Sequence, residues 1–125
     1  MSAVIIFGEG YDSETMSAGL FFAFVEYIEH EAHDPDLKQM LHDTVEAQLE
    51  WLVISKLPSG QRRDLLEVLI KCLPDALIAV LAPEVRNDPE KHRLYEERAM
   101  RVKHSAQAAY DTEFGASASA GEQRQ

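Results

Sequence analysis

The side chains best suited to chemistry gather early in the chain: Glu26, Glu29, His30 and His33, then His42 and Glu46. Glu26, His30 and His33 are spaced i, i+4, i+7, and His42 and Glu46 i, i+4, which on helices aligns each set along one side. Carboxylate and imidazole at such spacings bind zinc or iron when facing helices turn them inward. The apolar positions argue against that orientation. At about 100° per residue, Leu20, Phe21, Phe24, Val25, Tyr27, Ile28 and Ala32 share one side of a helix, and the acids and His fall opposite. A metal held there would sit at the surface with few supporting hydrogen bonds. His30-Glu31-Ala32-His33 is one residue shorter than the zinc-protease pattern, and none of the five His follows a Glu by three positions, as di-iron bundles require. A solvated charge cluster is expected, and no cofactor is implied.

Other chemistries have less to stand on. Gly8-Glu9-Gly10 lacks the rest of a phosphate-loop fingerprint and places acids where an anion would sit. No serine has the context of a nucleophile elbow. The single Cys72 lies in the apolar run Leu69-Ile70-Lys71-Cys72-Leu73, which predicts an inert buried thiol. Carboxylates are plentiful, but a poised acid–base pair needs two unlike environments, and a solvated face supplies one. The sequence therefore predicts a binding protein and not an enzyme.

Charge says more. The chain has 125 residues with 22 acids, 12 Lys plus Arg and a formal net charge of −10. Before residue 56 there are eleven acids and one base, Lys38; from Lys56 onward eleven acids meet eleven bases. The whole excess belongs to the N-terminal half. Such a balance argues against binding nucleic acid or an anionic membrane, both of which need Lys and Arg to replace counterions. One cysteine excludes an internal disulfide framework, and no apolar run approaches a membrane span or a signal peptide. A cytoplasmic protein is expected.

The elements that must position these residues are marked by caps and prolines. Ala3-Val4-Ile5-Ile6-Phe7 is a β-favouring run closed by Gly8 and Gly10. Alone it cannot satisfy its backbone, so it is expected to be an extended arm, a strand with an unseen partner, or the start of a helix. Asp12 or Ser13 is placed to cap a first helix running to about His33. Asp34-Pro35-Asp36 opens a second, expected to continue to Lys56 or Leu57, with a wide apolar arc from Leu37 through Trp51 to Ile54. A third spans roughly Gln61 to Leu73; the apolar segment from Asp75 to Ala82 then plugs the core. Asp88-Pro89 starts a last helix, Glu90 to about Tyr110, with a small-residue stripe and charged flanks that partly neutralise the acidic half. The expectation is an all-α, single-domain bundle of four to five helices over residues 1–114 with a short extended N-terminal arm, followed by a disordered tail, 115–125.

A small, acidic, helical, disulfide-free single domain resembles the immunity proteins of bacterial toxins, those of contact-dependent growth inhibition and of colicins among them. The resemblance lies in size, charge and class, and carries no family residues over. It implies a cytoplasmic inhibitor of a cognate toxin domain, commonly a basic nuclease. On that reading Glu26, Glu29, Asp34, Asp36, Asp43, Glu46 and Glu50 match a basic cleft electrostatically, and Phe22, with Trp51 beside it as a candidate, supplies an apolar anchor. The apolar run from Val4 to Phe7 either docks on the bundle or adds to a partner's sheet edge. Two alternatives stay open: a metal- or small-ligand-binding bundle using His30, His33 and His42, and a homo-oligomeric structural module.

Overall fold

The apolar run at the N-terminus is a strand paired on both sides. A computed structural model, describing residues 2–115, places β1 (Ser2–Ile6) at the centre of a three-stranded sheet. β2 (Glu14–Ser17) runs antiparallel to it with Val4 opposite Thr15, and β3 (Trp51–Val53) runs parallel to it with Val4 opposite Trp51. The all-α expectation is thereby corrected: the chain is mostly helical with a small mixed sheet, and the extended arm is the sheet's middle strand. Strand alternation explains why it is held so firmly. Ala3, Ile5 and Phe7 point into the core, as do Met16 and Leu52 from the two neighbours.

Among the described residues six α-helices follow the hairpin: α1 (Ala18–Glu31), α2 (Pro35–Glu46), α3 (Ser59–Cys72), α4 (Asp75–Ala79), α5 (Pro83–Arg86) and α6 (Pro89–Tyr110). α1 lies against α2, and α3 against α6, with Phe21, Phe24, Ile28, Leu37, Leu41, Leu65, Leu66, Leu69 and Leu77 buried among them. Ala99, Val102, Ala106 and Ala109 form the small stripe by which α6 packs closely. α4 buries Ala76 and Leu77, the plug expected of that segment.

Two boundaries move for identifiable reasons. α1 begins five residues or so later than Asp12 and Ser13 suggest, because Glu14–Ser17 is drawn into the sheet; Ser17 then caps the helix, accepting from Leu20 N–H at 3.4 Å. α2 stops at Glu46 instead of continuing to Lys56 or Leu57. Gln48 turns left-handed at φ 54°, its N–H bonds Val45 C=O, and Leu49 N–H reaches back to Thr44 C=O at 2.9 Å. That pair of bonds is a Schellman closure. It usually carries glycine at the left-handed position, and glutamine there gives no warning in the sequence. The chain beyond the turn extends into β3 and then a short 3-10 turn, Ile54–Lys56. The other end of α2 is as expected: Asp34 Oδ1 accepts from Asp36 N–H at 2.8 Å and Leu37 N–H at 3.2 Å, with Pro35 at the first position. The starts of α3 and α6 fall within two residues of expectation. Of the tail expected from residue 115, Gly115 closes a wide terminal turn and residues 116–125 lie outside the described residues.

Candidate functional site

α2 is the spine of the acidic surface and has a concavity on each side. On one side it meets α1 in a cleft of about 220 Å³ lined by Glu26, Glu29, His30, His42, Val45 and Glu46. The i, i+4 spacing of Glu26 with His30 and of His42 with Glu46 puts all four at this seam, because the apolar arcs of both helices are consumed by the core on their far sides. His42 stands between two carboxylates, its Nδ1 3.7 Å from Glu29 Oε1 and its Nε2 3.8 Å from Glu46 Oε1. These separations suit a charge attraction when the imidazole is protonated and are too long for hydrogen bonds.

On its other side α2 faces β3 across a groove of about 530 Å³, with Asp36, Gln39, Met40 and Asp43 on the helical wall and Leu49, Trp51, Leu52 and Val53 opposite. Trp51, expected within the buried arc of a long α2, is on the edge strand and 51% exposed. Strand alternation is the cause: Leu52 takes the core side, so Trp51 must take the other.

The residues expected at a binding face divide by what holds them. Glu26, Asp36, Asp43 and Glu46 are exposed. Glu29 is half-buried in the cleft floor, and Glu50 is half-buried at the entry to β3, where its carbonyl accepts from Val4 N–H at 2.9 Å. Asp34 is committed to capping α2. Phe22 is not a free anchor: it is half-buried against the core and stands edge-on to Phe21 with ring centroids 5.6 Å apart. The most exposed large apolar side chain of the described residues is instead Trp51.

The surrounding charge leaves these acids uncompensated. Lys38, the one base before residue 56, donates from Nζ to Glu29 C=O at 3.0 Å, so it is tied to backbone. Four bases of the second half pair with acids elsewhere, Arg63 with Glu67, Arg93 with Glu97, Arg62 with Glu113 and Arg101 with Glu14, and Lys56 lines the α2–β3 groove without an ion pair to Asp36 or Asp43. Of the four pairs only Arg101 with Glu14 reaches an acid of the first half, so the expected neutralisation stops at the hairpin. Among the described residues no Lys or Arg forms an ion pair with Glu26, Glu29, Asp36, Asp43 or Glu46.

The histidines expected in the metal alternative are separated. His33 turns toward α3, its Nδ1 3.4 Å from Asp64 Oδ1, while His30 and His42 stay at the α1–α2 seam. Among the described residues no three His, Cys, Asp or Glu side chains converge to hold a metal ion. A further hollow of about 430 Å³, not foreseen from sequence, lies between α3 and α6 near His33, Asp64, Glu67, Cys72 and Tyr110. Its central carboxylate, Asp64, is taken up by the N–H groups of His33 and Asp34. Cys72 is half-buried there, and burial, reinforced by the charge of Glu31, pushes its thiol up from the ordinary value, away from nucleophilic use. No helix is long and apolar enough to cross a membrane among the described residues. Comparison with family models, with curated proteins and with solved structures finds no match.

Proposed function

We propose that this chain is a binding protein that holds a basic partner on the α1–α2 surface and inhibits it, in the manner of an immunity protein covering a toxin domain. The observation that carries the reading is the uncompensated charge: Glu26, Glu29, Asp36, Asp43 and Glu46 share one surface without a Lys or Arg partner among the described residues. A surface with unpaired carboxylates on both sides of α2 raises the local concentration of a cationic partner and accelerates encounter. A nuclease must present cationic side chains to phosphates, so its active cleft is a natural complement, and covering that cleft blocks its substrate. Exposed Trp51 beside Asp36 and Asp43 supplies apolar area to slow dissociation.

The test is capture of the partner from the native host, followed by binding and activity assays with its isolated basic domain. Affinity is expected to fall steeply between 50 and 500 mM salt, roughly as screened charges do. Glu26→Lys with Glu46→Lys is expected to slow association at least about tenfold and to release the partner's toxicity in co-expression. Salt-insensitive binding, or reversal of both charges without effect, overturns the reading.

A further inference from the structure

The two edges of the sheet are treated differently. The β2 edge is guarded by α6: Arg98 Nη1 lies 3.5 Å from Thr15 C=O, and Arg101 pairs with Glu14 at 3.2 Å. Among the described residues the β3 edge has no such guard. Because Val4 N–H bonds Glu50 C=O and Val4 is in register with Trp51, the parallel ladder turns the N–H and C=O of Trp51, and the N–H of Val53, away from β1. Trp51 and Val53 line the groove whose far wall carries Asp36 and Asp43. Open strand edges are the part of a sheet that natural proteins usually cover, bend or charge. Here the edge is short, beside an exposed indole, and its one nearby base, Lys56, follows the strand instead of lying in it.

We infer that the β3 edge is a docking site for an extended, basic segment of the partner, which pairs with Trp51 and Val53 as a fourth strand. The inference rests on the proposed binding role and specifies its mode. An incoming antiparallel residue exchanges both backbone bonds with Trp51, so backbone pairing supplies affinity and alternate side chains supply selection. Asp36 and Asp43 are seven positions apart on α2, about 10.5 Å along the helix. Two Lys or Arg on one side of a strand, two or four positions apart and about 7 or 14 Å from each other, reach both carboxylates with their long stems. An apolar residue between them covers the indole. The N-terminal run, a candidate for this kind of pairing on sequence grounds, is excluded by its position: β1 is already bonded on both edges.

The test uses the whole chain and a capped heptapeptide of alternating Lys and Val, with a copy N-methylated at every backbone nitrogen as control. Trp51 is the chain's one tryptophan, so its emission reports the groove alone. The expected result is a blue shift on adding the Lys–Val peptide and slowed amide exchange at Trp51 and Val53. The methylated copy, equal in charge, gives neither. Asp36→Asn with Asp43→Asn weakens the peptide roughly 2- to 30-fold, the range for two exposed ion pairs, with an unchanged circular dichroism spectrum. Equal binding of the methylated copy overturns strand pairing, and so does an unshifted emission at millimolar peptide. A shift that grows with protein concentration alone, with dimer in sedimentation, assigns the edge to a second copy and also overturns it. If a captured basic partner binds with steep salt dependence while the Trp51 and Val53 amides stay unprotected, strand addition fails and the acidic-face reading stands. If that partner's binding is also salt-insensitive, both fail.

Discussion

Asp64 on α3 accepts the backbone N–H of Asp34 at 2.7 Å, across thirty positions of sequence. The same Oδ2 accepts His33 N–H at 2.9 Å, so one carboxylate gathers the turn between α1 and α2. Asp34 in turn uses its own carboxylate to cap α2. Two acids in series thus fix where α2 begins and how it is set against α3. Both sides of the acidic surface are built from α2, so its placement decides whether Glu29 and His42 meet and whether Asp36 faces Trp51.

Removing this link should cost stability more than a surface acid normally does. Hydrogen bonds to a charged group contribute about 1.5–3 kcal/mol, and the Asp64 side chain is only 14% exposed. Asp64→Ala is expected to lower unfolding free energy by about 2–3 kcal/mol and Asp64→Asn by about half as much, measured by urea denaturation. A loss indistinguishable from an exposed acid such as Glu84→Ala would show that the two N–H groups are as well served by water.

Gln48 offers the opposite change. A side chain in the left-handed region costs about 1–2 kcal/mol, of which glycine recovers part after its larger unfolded-state entropy. Gln48→Gly is expected to raise stability by about 0.5–1 kcal/mol, seen as a higher urea midpoint with unchanged slope. A lower midpoint would mean that α2 does not end in a left-handed turn at this residue.

Adjacent residues of β3 should respond oppositely to truncation. Leu52 is buried against the core, and Leu52→Ala is expected to cost about 2–4 kcal/mol. Trp51→Ala is expected to cost under about 1 kcal/mol of stability while removing the apolar anchor of the groove. Were residues 51–54 the last turn of a long α2, as the periodicity suggests, truncation of Trp51 would be the more damaging of the two.

The Cys72 thiol, raised by burial and then by the Glu31 charge, holds less thiolate at a given pH than a free cysteine. Alkylation by iodoacetamide at pH 8 is expected to be slower than for a model thiol, with the half-maximal rate displaced to higher pH. Glu31→Gln should bring the profile part of the way back. Reaction at the model rate would contradict the half-buried placement.

Local chemistry in the sequence determined a good deal. Asp34-Pro35 and Asp88-Pro89 state two helix starts, since a capping carboxylate and a preset proline act within one turn. The count of charges located the acidic excess before residue 56, and helical rotation placed Glu26, His30, His42 and Glu46 on the polar sides of α1 and α2. What tertiary structure decided was everything that depends on pairing at a distance. Val4 becomes a strand residue because Thr15 and Trp51 arrive on either side of it, and neither segment announces itself. Trp51 leaves the helical arc for the same reason, once the left-handed turn at Gln48 frees the chain to extend. Whether the acids were neutralised was likewise not readable, because Arg62, Arg63, Arg93 and Arg101 had to find their partners in space before the charge on α1 and α2 could be seen to stand alone.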